Sequence, residues 1–311
     1  MLPLKMPEIR ILKVRKHTHL PFQCNVKVNI LLELTKVRIS LFATLSTSAG
    51  FILAHRGLSE EMIFPILGVF FLASGSCALN QYQERWYDQW MDRTRERPIP
   101  SKKLSPSTAL KISIGLLSLG SVILYSGAHR SALGLGLFAV FWYNGVYTPL
   151  KRKSAFASVP GALVGAIPPV IGWISEKGFF SLDPQILGLS FFFFIWQVPH
   201  FWLLLLNSGR DYEKAGLPSL TRIFSAAQLS RITFIWIFAT STACMMIPLF
   251  GIVESNAIHG GLFFITFWLV WKSLKLLTFN RHPSSLPSAF KTINSYALLV
   301  VVLITLDHLF Q

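Results

Sequence analysis

Beginning at Asn80 the chain reads NQYQERWYDQWMDRTRERPIPS, with Asn80, Glu84 and Asp88 recurring at every fourth position. On a helix such positions lie along one stripe, so an amide oxygen and two carboxylates can converge on one cation. Hard oxygens of this kind suit Mg2+, which binds through one or two carboxylates and completes its shell with substrate phosphates. Arg93, Arg95, Arg97, Lys102 and Lys103 come directly after them, and Arg and Lys are the side chains that meet phosphate oxygens. Pro98 and Pro100 stiffen the same turn. Asp92 would continue the stripe and reads instead as a loop residue. The bland alternative stays open here: a solvated, charge-balanced loop whose cations merely obey membrane topology.

A second polar cluster lies in WQVPHFWLLLLNSGRDYEKAGLPSL, where His200 sits inside an apolar run and Asp211, Tyr212 and Glu213 stand beside Arg210 and Lys214. Asp211 is the candidate for holding a metal or a diphosphate from across a cavity. His200 reads equally as a substrate contact or as a hydrogen-bonded histidine between helices. Glu213 reads as a partner of Lys214 or Arg210. Cys24, Cys77 and Cys244 lie far apart without a CxxC or a His pair, so neither a disulfide framework nor a zinc site is expected.

The elements that must position these groups can be read from composition. Of 311 residues 52% are hydrophobic and only 14% charged, against about 45 to 50% and about 25% in soluble domains. Runs long enough to cross a hydrocarbon core of about 30 Å occur near 37 to 54, 62 to 83, 108 to 127, 131 to 148, 158 to 175, 184 to 206, 232 to 252, 257 to 278 and 289 to 309. Alternating these nine spans leaves only Arg56, Arg130 and Lys177 of the 29 Lys and Arg on one side. That bias sets the N-terminus, both polar clusters and the long loops on the cytoplasmic side. The net charge of +15 therefore speaks for topology and not for nucleic acid. Residues 1–33 are expected to be a basic, retained cytoplasmic tail, and 34–311 a single transmembrane domain in a cell inner membrane.

The ordered motifs resemble those of the UbiA-type intramembrane prenyltransferases, and within them the heme O synthase branch. NxxxExxxD and then MxRTxxRPxP, with WQxPHFW and RDYxxAGxP further on, carry the likeness; LTKVR at 34–38 is similar to the family's LTKPR, and YTPLKRKSAFASVPGALVGAIPPVIGW at 147–173 to its YTxxLKR and GAxPPxIGW segments. Glu84 stands where the family usually has Asp, and Val37 where it has Pro. Asp211 lacks the paired aspartates of relatives that act on aromatic acceptors.

The resemblance implies an all-α bundle of about nine helices around a central cavity open to lipid. It implies farnesyl diphosphate bound through Mg2+ by Asn80, Glu84, Asp88 and Asp211, with Arg93 and Arg97 neutralising the diphosphate as it leaves. The acceptor would be a vinyl group of heme B, giving heme O, with Lys36, Arg38 and Lys151 meeting the propionates and His200 touching the heme. Tyr147 and Tyr212 would be helpers or interfacial anchors. Implied partners are membrane lipid and the two substrates, with heme A synthase or cytochrome oxidase assembly proteins beyond them. An aromatic-acceptor prenyltransferase of quinone biosynthesis and, in another class, a secondary transporter are the rival readings.

Overall fold

A computed structural model describes residues 28–181, 183–278 and 285–310. Most of the segment read as a tail lies outside them; its last residues form a short helix, α1 (Val28–Leu34). Then come α2 (Val37–His55), α3 (Ile63–Asp88), α4 (Pro106–Gly127), α5 (Arg130–Val140), α6 (Leu163–Lys177), α7 (Pro184–Lys214), α8 (Ala226–Met245), α9 (Asn256–Ser273) and α10 (Ser285–Leu309). No strand occurs among the described residues.

Among the described residues eight helical stretches are long and apolar enough to cross a membrane. The ninth expected span, at 131 to 148, is also helical from end to end but changes winding twice: α5 runs into a π-helical segment, Phe141–Tyr147, and then an α-turn, Thr148–Leu150. The large apolar side chains left outside face where lipid would lie, among them Phe263 and Phe264, 66% and 70% exposed. In water such a surface would be a liability; against hydrocarbon it costs nothing.

Helix starts are written locally. Ser105 accepts from the Thr108 N–H at 3.1 Å ahead of Pro106, and Ser225 closes a reciprocal cap with Gln228 ahead of α8. These groups satisfy the first-turn N–H donors that a helix cannot satisfy itself. Consecutive helices are neighbours, and α10 returns to pack on α2, closing the ring; α2 also packs on α6. There the two backbones touch: a Cβ on Gly50 would lie 1.9 Å from the Pro169 carbonyl oxygen, and one on Gly172 1.9 Å from that of Thr47. Small residues permit this approach where apolar surface gives helices no net drive to associate in lipid.

The two longest helices among the described residues overrun the hydrocarbon the most. The 26 residues of α3 and the 31 of α7 extend roughly 39 and 46 Å at 1.5 Å per residue. Their C-terminal turns therefore emerge at the same end of the bundle, carrying the two polar clusters with them.

Candidate active site

The stripe on α3 points inward. Asn80, Glu84 and Asp88 are 2%, 7% and 0% exposed, so each polar group must be answered by a partner. Each is answered by a different cation, brought from a different part of the chain.

Asp88 receives both its bonds from one guanidinium nitrogen, Arg97 Nη1, at 2.9 and 2.8 Å, while its carbonyl accepts from the Thr94 hydroxyl at 3.0 Å. The loop after α3 thus folds back onto the helix end that launches it. Burial works against the charge on Arg97, but Asp88 outweighs it and raises the pKa further. Glu84 Oε1 accepts from Lys151 Nζ at 2.7 Å. Burial opposes this ammonium as well, and Glu84 overcomes it, so Lys151 also holds its proton more firmly than a free lysine.

Asn80 is held at both ends of its amide. Its Nδ2 donates to the Thr148 hydroxyl at 3.1 Å, so Oδ1 is the end that accepts from Lys36 Nζ at 3.2 Å. That oxygen is the one aimed at the cations. Lys36 stands in the break between α1 and α2 with φ 47 and ψ 53, a left-handed conformation that costs a non-glycine residue on the order of 1 kcal/mol and marks functional positions more often than others. Burial, and next to it the charge of Arg97, lowers its pKa from 10.5 to about 8.

The π-helical segment explains how Thr148 and Lys151 reach α3. Asn144 inside it donates to the Ser76 carbonyl at 3.1 Å and to Gln83 Oε1 at 3.2 Å, and Trp142 donates to the Pro160 carbonyl at 2.8 Å. The wide turn rotates the residues beyond it, and the ring of Tyr147 stacks between Tyr143 and Phe201 at 5.7 and 5.8 Å. Such turns recur at functional sites. Sequence reasoning missed Thr148, Asn144 and this turn; Gly145 and Pro149 flanking an aromatic run were the available signal.

The second cluster meets the first across a gap. Ser208 has non-helical angles, φ −128 and ψ 16, inside α7, and the turn beyond it carries Asp211 toward the loop after α3. Asp211 Oδ2 accepts from the main-chain N–H of Arg93 at 3.2 Å, while the Arg93 side chain is exposed. The backbone of Arg93 therefore makes the link in place of its guanidinium. Asp92 is a loop residue, as expected, ion-paired with Lys214. Glu213 pairs with neither Lys214 nor Arg210: its Oε1 accepts from the Thr221 hydroxyl at 2.8 Å. The Tyr147 and Tyr212 rings flank Lys151 Nζ at 5.8 and 5.7 Å, and the two tyrosines line a cavity with Ser158, Phe201 and Leu205.

Arg38 is exposed on the first turn of α2 and takes no part in these contacts. His200 stands on another wall, with Nδ1 2.7 Å from Asn294 Oδ1.

No three His, Cys, Asp or Glu side chains gather as a metal cluster among the described residues. The donor set nonetheless suits a hard divalent ion that shares its shell with phosphate: one oriented amide oxygen and two carboxylates, each now matched to a cation. Mg2+ with a diphosphate would present both signs of charge, and pairs of this kind could then exchange partners without leaving a buried charge unpaired.

A polytopic helical membrane protein with this site belongs to the class that handles a charged head group on an apolar substrate. The UbiA prenyltransferase family profile matches residues 43–296, and the chain is a member of that family. It is 34% identical over 275 residues to the protoheme IX farnesyltransferase of Geobacter sulfurreducens, covering 88% of this chain and 98% of that one. The apo UbiA homolog from Aeropyrum pernix K1 superposes with a TM-score of 0.70 at 15% identity, covering 88% of this chain and 99% of that one. A UbiA homolog from Archaeoglobus fulgidus bound to GPP and Mg2+ gives a TM-score of 0.61 at 15% identity, again over 88% and 99% of the two chains. At that identity the likeness is one of fold.

Proposed function

We propose that this enzyme transfers the farnesyl group of farnesyl diphosphate to a vinyl group of heme B, yielding heme O. The observation that carries the reading is the matched set of three oxygen donors and three cations at one end of an apolar bundle, in a chain whose similar relatives include protoheme IX farnesyltransferases. Asn80, Glu84 and Asp88, with Asp211 from the last turns of α7, would hold Mg2+. When bound, the ion neutralises diphosphate charge and so eases its departure.

The chain's own groups do the rest. Arg97, Lys151 and Lys36 turn from their carboxylate and amide partners toward the phosphate oxygens, where charge develops as the C1–O bond breaks and its electron pair leaves with diphosphate. Tyr147, Tyr212 and Phe201 line the cavity beside Lys151, and aromatic walls of this kind favour the allylic cation. The vinyl group supplies the electron pair for the new C–C bond. Water adds to the resulting cation beside the porphyrin and loses a proton, leaving a hydroxyethylfarnesyl group. Arg38 and the exposed Arg93 side chain lie where an anionic propionate would arrive from the cytoplasmic side of an inner membrane, and protein partners such as heme A synthase would take up the product.

The test is an assay of protein purified in detergent with heme B, farnesyl diphosphate and Mg2+, read by mass spectrometry. Hydroxyethylfarnesyl heme is expected, lost with EDTA and restored by Mg2+. Unmodified heme alongside prenylated aromatic acids would overturn the acceptor and keep the class.

A further inference from the structure

His200 lies three ring and cation contacts away from the diphosphate site, and its surroundings define it chemically. Asn294 donates its Nδ2 to the Phe290 carbonyl at 2.7 Å, one turn back on α10. Its Oδ1 is therefore the atom facing His200 Nδ1 at 2.7 Å, and an amide oxygen can only accept. The imidazole proton must sit on Nδ1, which leaves the lone pair of a neutral ring on Nε2. Among the described residues Nε2 has no partner, and it is not one of the fully enclosed unpaired atoms.

Around it stand aromatic rings, tilted or edge-on to its plane. The His200 ring lies 5.1 Å from Trp196, 5.1 Å from Phe290 and 5.7 Å from Phe201, and Trp196 lies 5.0 Å from Phe42 of α2. Aromatic side chains of α2, α7 and α10 thus surround this ring, whose Nε2 lone pair is left over. Phe201, beside His200, stacks on Tyr147, which in turn borders Lys151. A large conjugated ring held at His200 would lie next to the wall that leads to the diphosphate.

We propose that His200 Nε2 is the axial ligand to the iron of the heme substrate, and that Asn294 is the positioning residue that fixes its tautomer and tilt. The inference rests on heme being the acceptor. Histidines that bind metal commonly donate their other ring N–H to an oxygen acceptor, which orients the ring and raises its basicity; Asn294 Oδ1 is that acceptor here. The structural alternative is an interhelical hydrogen bond that only ties α7 to α10.

The experiment is titration of purified protein with heme B, monitored by absorbance and, after reduction, by the iron–histidine stretching band in resonance Raman. Wild type is expected to show the band. His200→Ala should lose it and bind heme about 10- to 100-fold more weakly, while still binding farnesyl diphosphate with Mg2+, which reports that it is folded. Asn294→Asp should raise the stretching frequency, because a carboxylate acceptor gives the imidazole more anionic character, and Asn294→Ala should lower it. A mere tie between helices would leave the frequency unmoved in both Asn294 variants, and that result, or a band that persists in His200→Ala, overturns the proposal. Wild-type protein that farnesylates heme without showing the band would sink this inference alone. A band without farnesylated product would sink the assigned reaction and keep the ligand.

Discussion

The C-terminal turns of α3 and α7 reach the same end of the bundle by the same device, a helix longer than the hydrocarbon core is thick, yet they hold their acids in opposite ways. Asp88 is fully buried and takes two bonds from Arg97. Asp211 is half-buried beyond a break in helical geometry at Ser208 and takes one bond from a main-chain N–H. A buried carboxylate bonded to a buried cation is rigid and expensive to disturb; a partly solvated one on a bent helix end can move at small cost. One cluster is thus an enclosed frame, its charges matched to each other and exchangeable only for charges that a substrate brings. The other is a mobile part, partly solvated and able to shift at small cost.

That contrast breaks most visibly under matched substitutions. Asp88→Asn leaves Arg97 buried without its counter-charge, which costs about 3 to 5 kcal/mol, so both thermal stability in detergent and activity should collapse. Asp211→Asn leaves a hydrogen-bond acceptor in place at a half-exposed site. It should keep the wild-type melting temperature and lose turnover by on the order of 100-fold if it aids charge stabilisation. Melting curves and turnover measured side by side decide: an equal loss of stability in both variants would erase the distinction between frame and mobile part.

Glu84 and Lys151 sharpen it one step down. Their pair is nearly enclosed, at 9% and 16% side-chain exposure, so Glu84→Gln or Lys151→Met alone strands a charge. The double variant strands none. Each single change should destabilise by roughly 2 to 4 kcal/mol and the double by clearly less than their sum, because paired buried charges are coupled. Activity should stay low in all three, since both the donor oxygen and the cation are used with substrate. Additive stabilities would mean that the two groups do not answer one another.

How much of this was legible beforehand depends on how local each signal is. The every-fourth-residue rule brought Asn80, Glu84 and Asp88 to one face without any tertiary knowledge, and apolar run lengths with the bias of Lys and Arg supplied the bundle. The partners were harder. Lys36 bonds across 44 residues to Asn80, and His200 across 94 to Asn294; no spacing rule reaches that far. A sequence shows the guanidinium of Arg93 and hides its N–H, the group that meets Asp211. The change of winding at Phe141–Tyr147 was hidden for another reason. A π-turn keeps the apolar character of its neighbours and alters only their rotation, so a hydropathy scan sees a single span.

The smallest expected effect concerns the link between the loop after α3 and the end of α7. Asp92 and Lys214 pair across them, but both side chains are about half exposed, at 52% and 54%, and water and salt screen such pairs strongly. The bond and charge of Lys214 hold the Asp92 carboxyl below its ordinary 3.8. Whatever stability the pair adds is therefore complete at neutral pH and fades only as the solution is acidified through that lowered value, far from working conditions. Asp92→Asn should leave both the melting temperature and turnover at pH 7 unchanged, and added salt should make no difference between variant and wild type. The informative exception would be a higher KM for farnesyl diphosphate at constant kcat. It would mean that the surface pair holds the end of α7 over the bound head group, and that the mobile half of the site is steered from outside it.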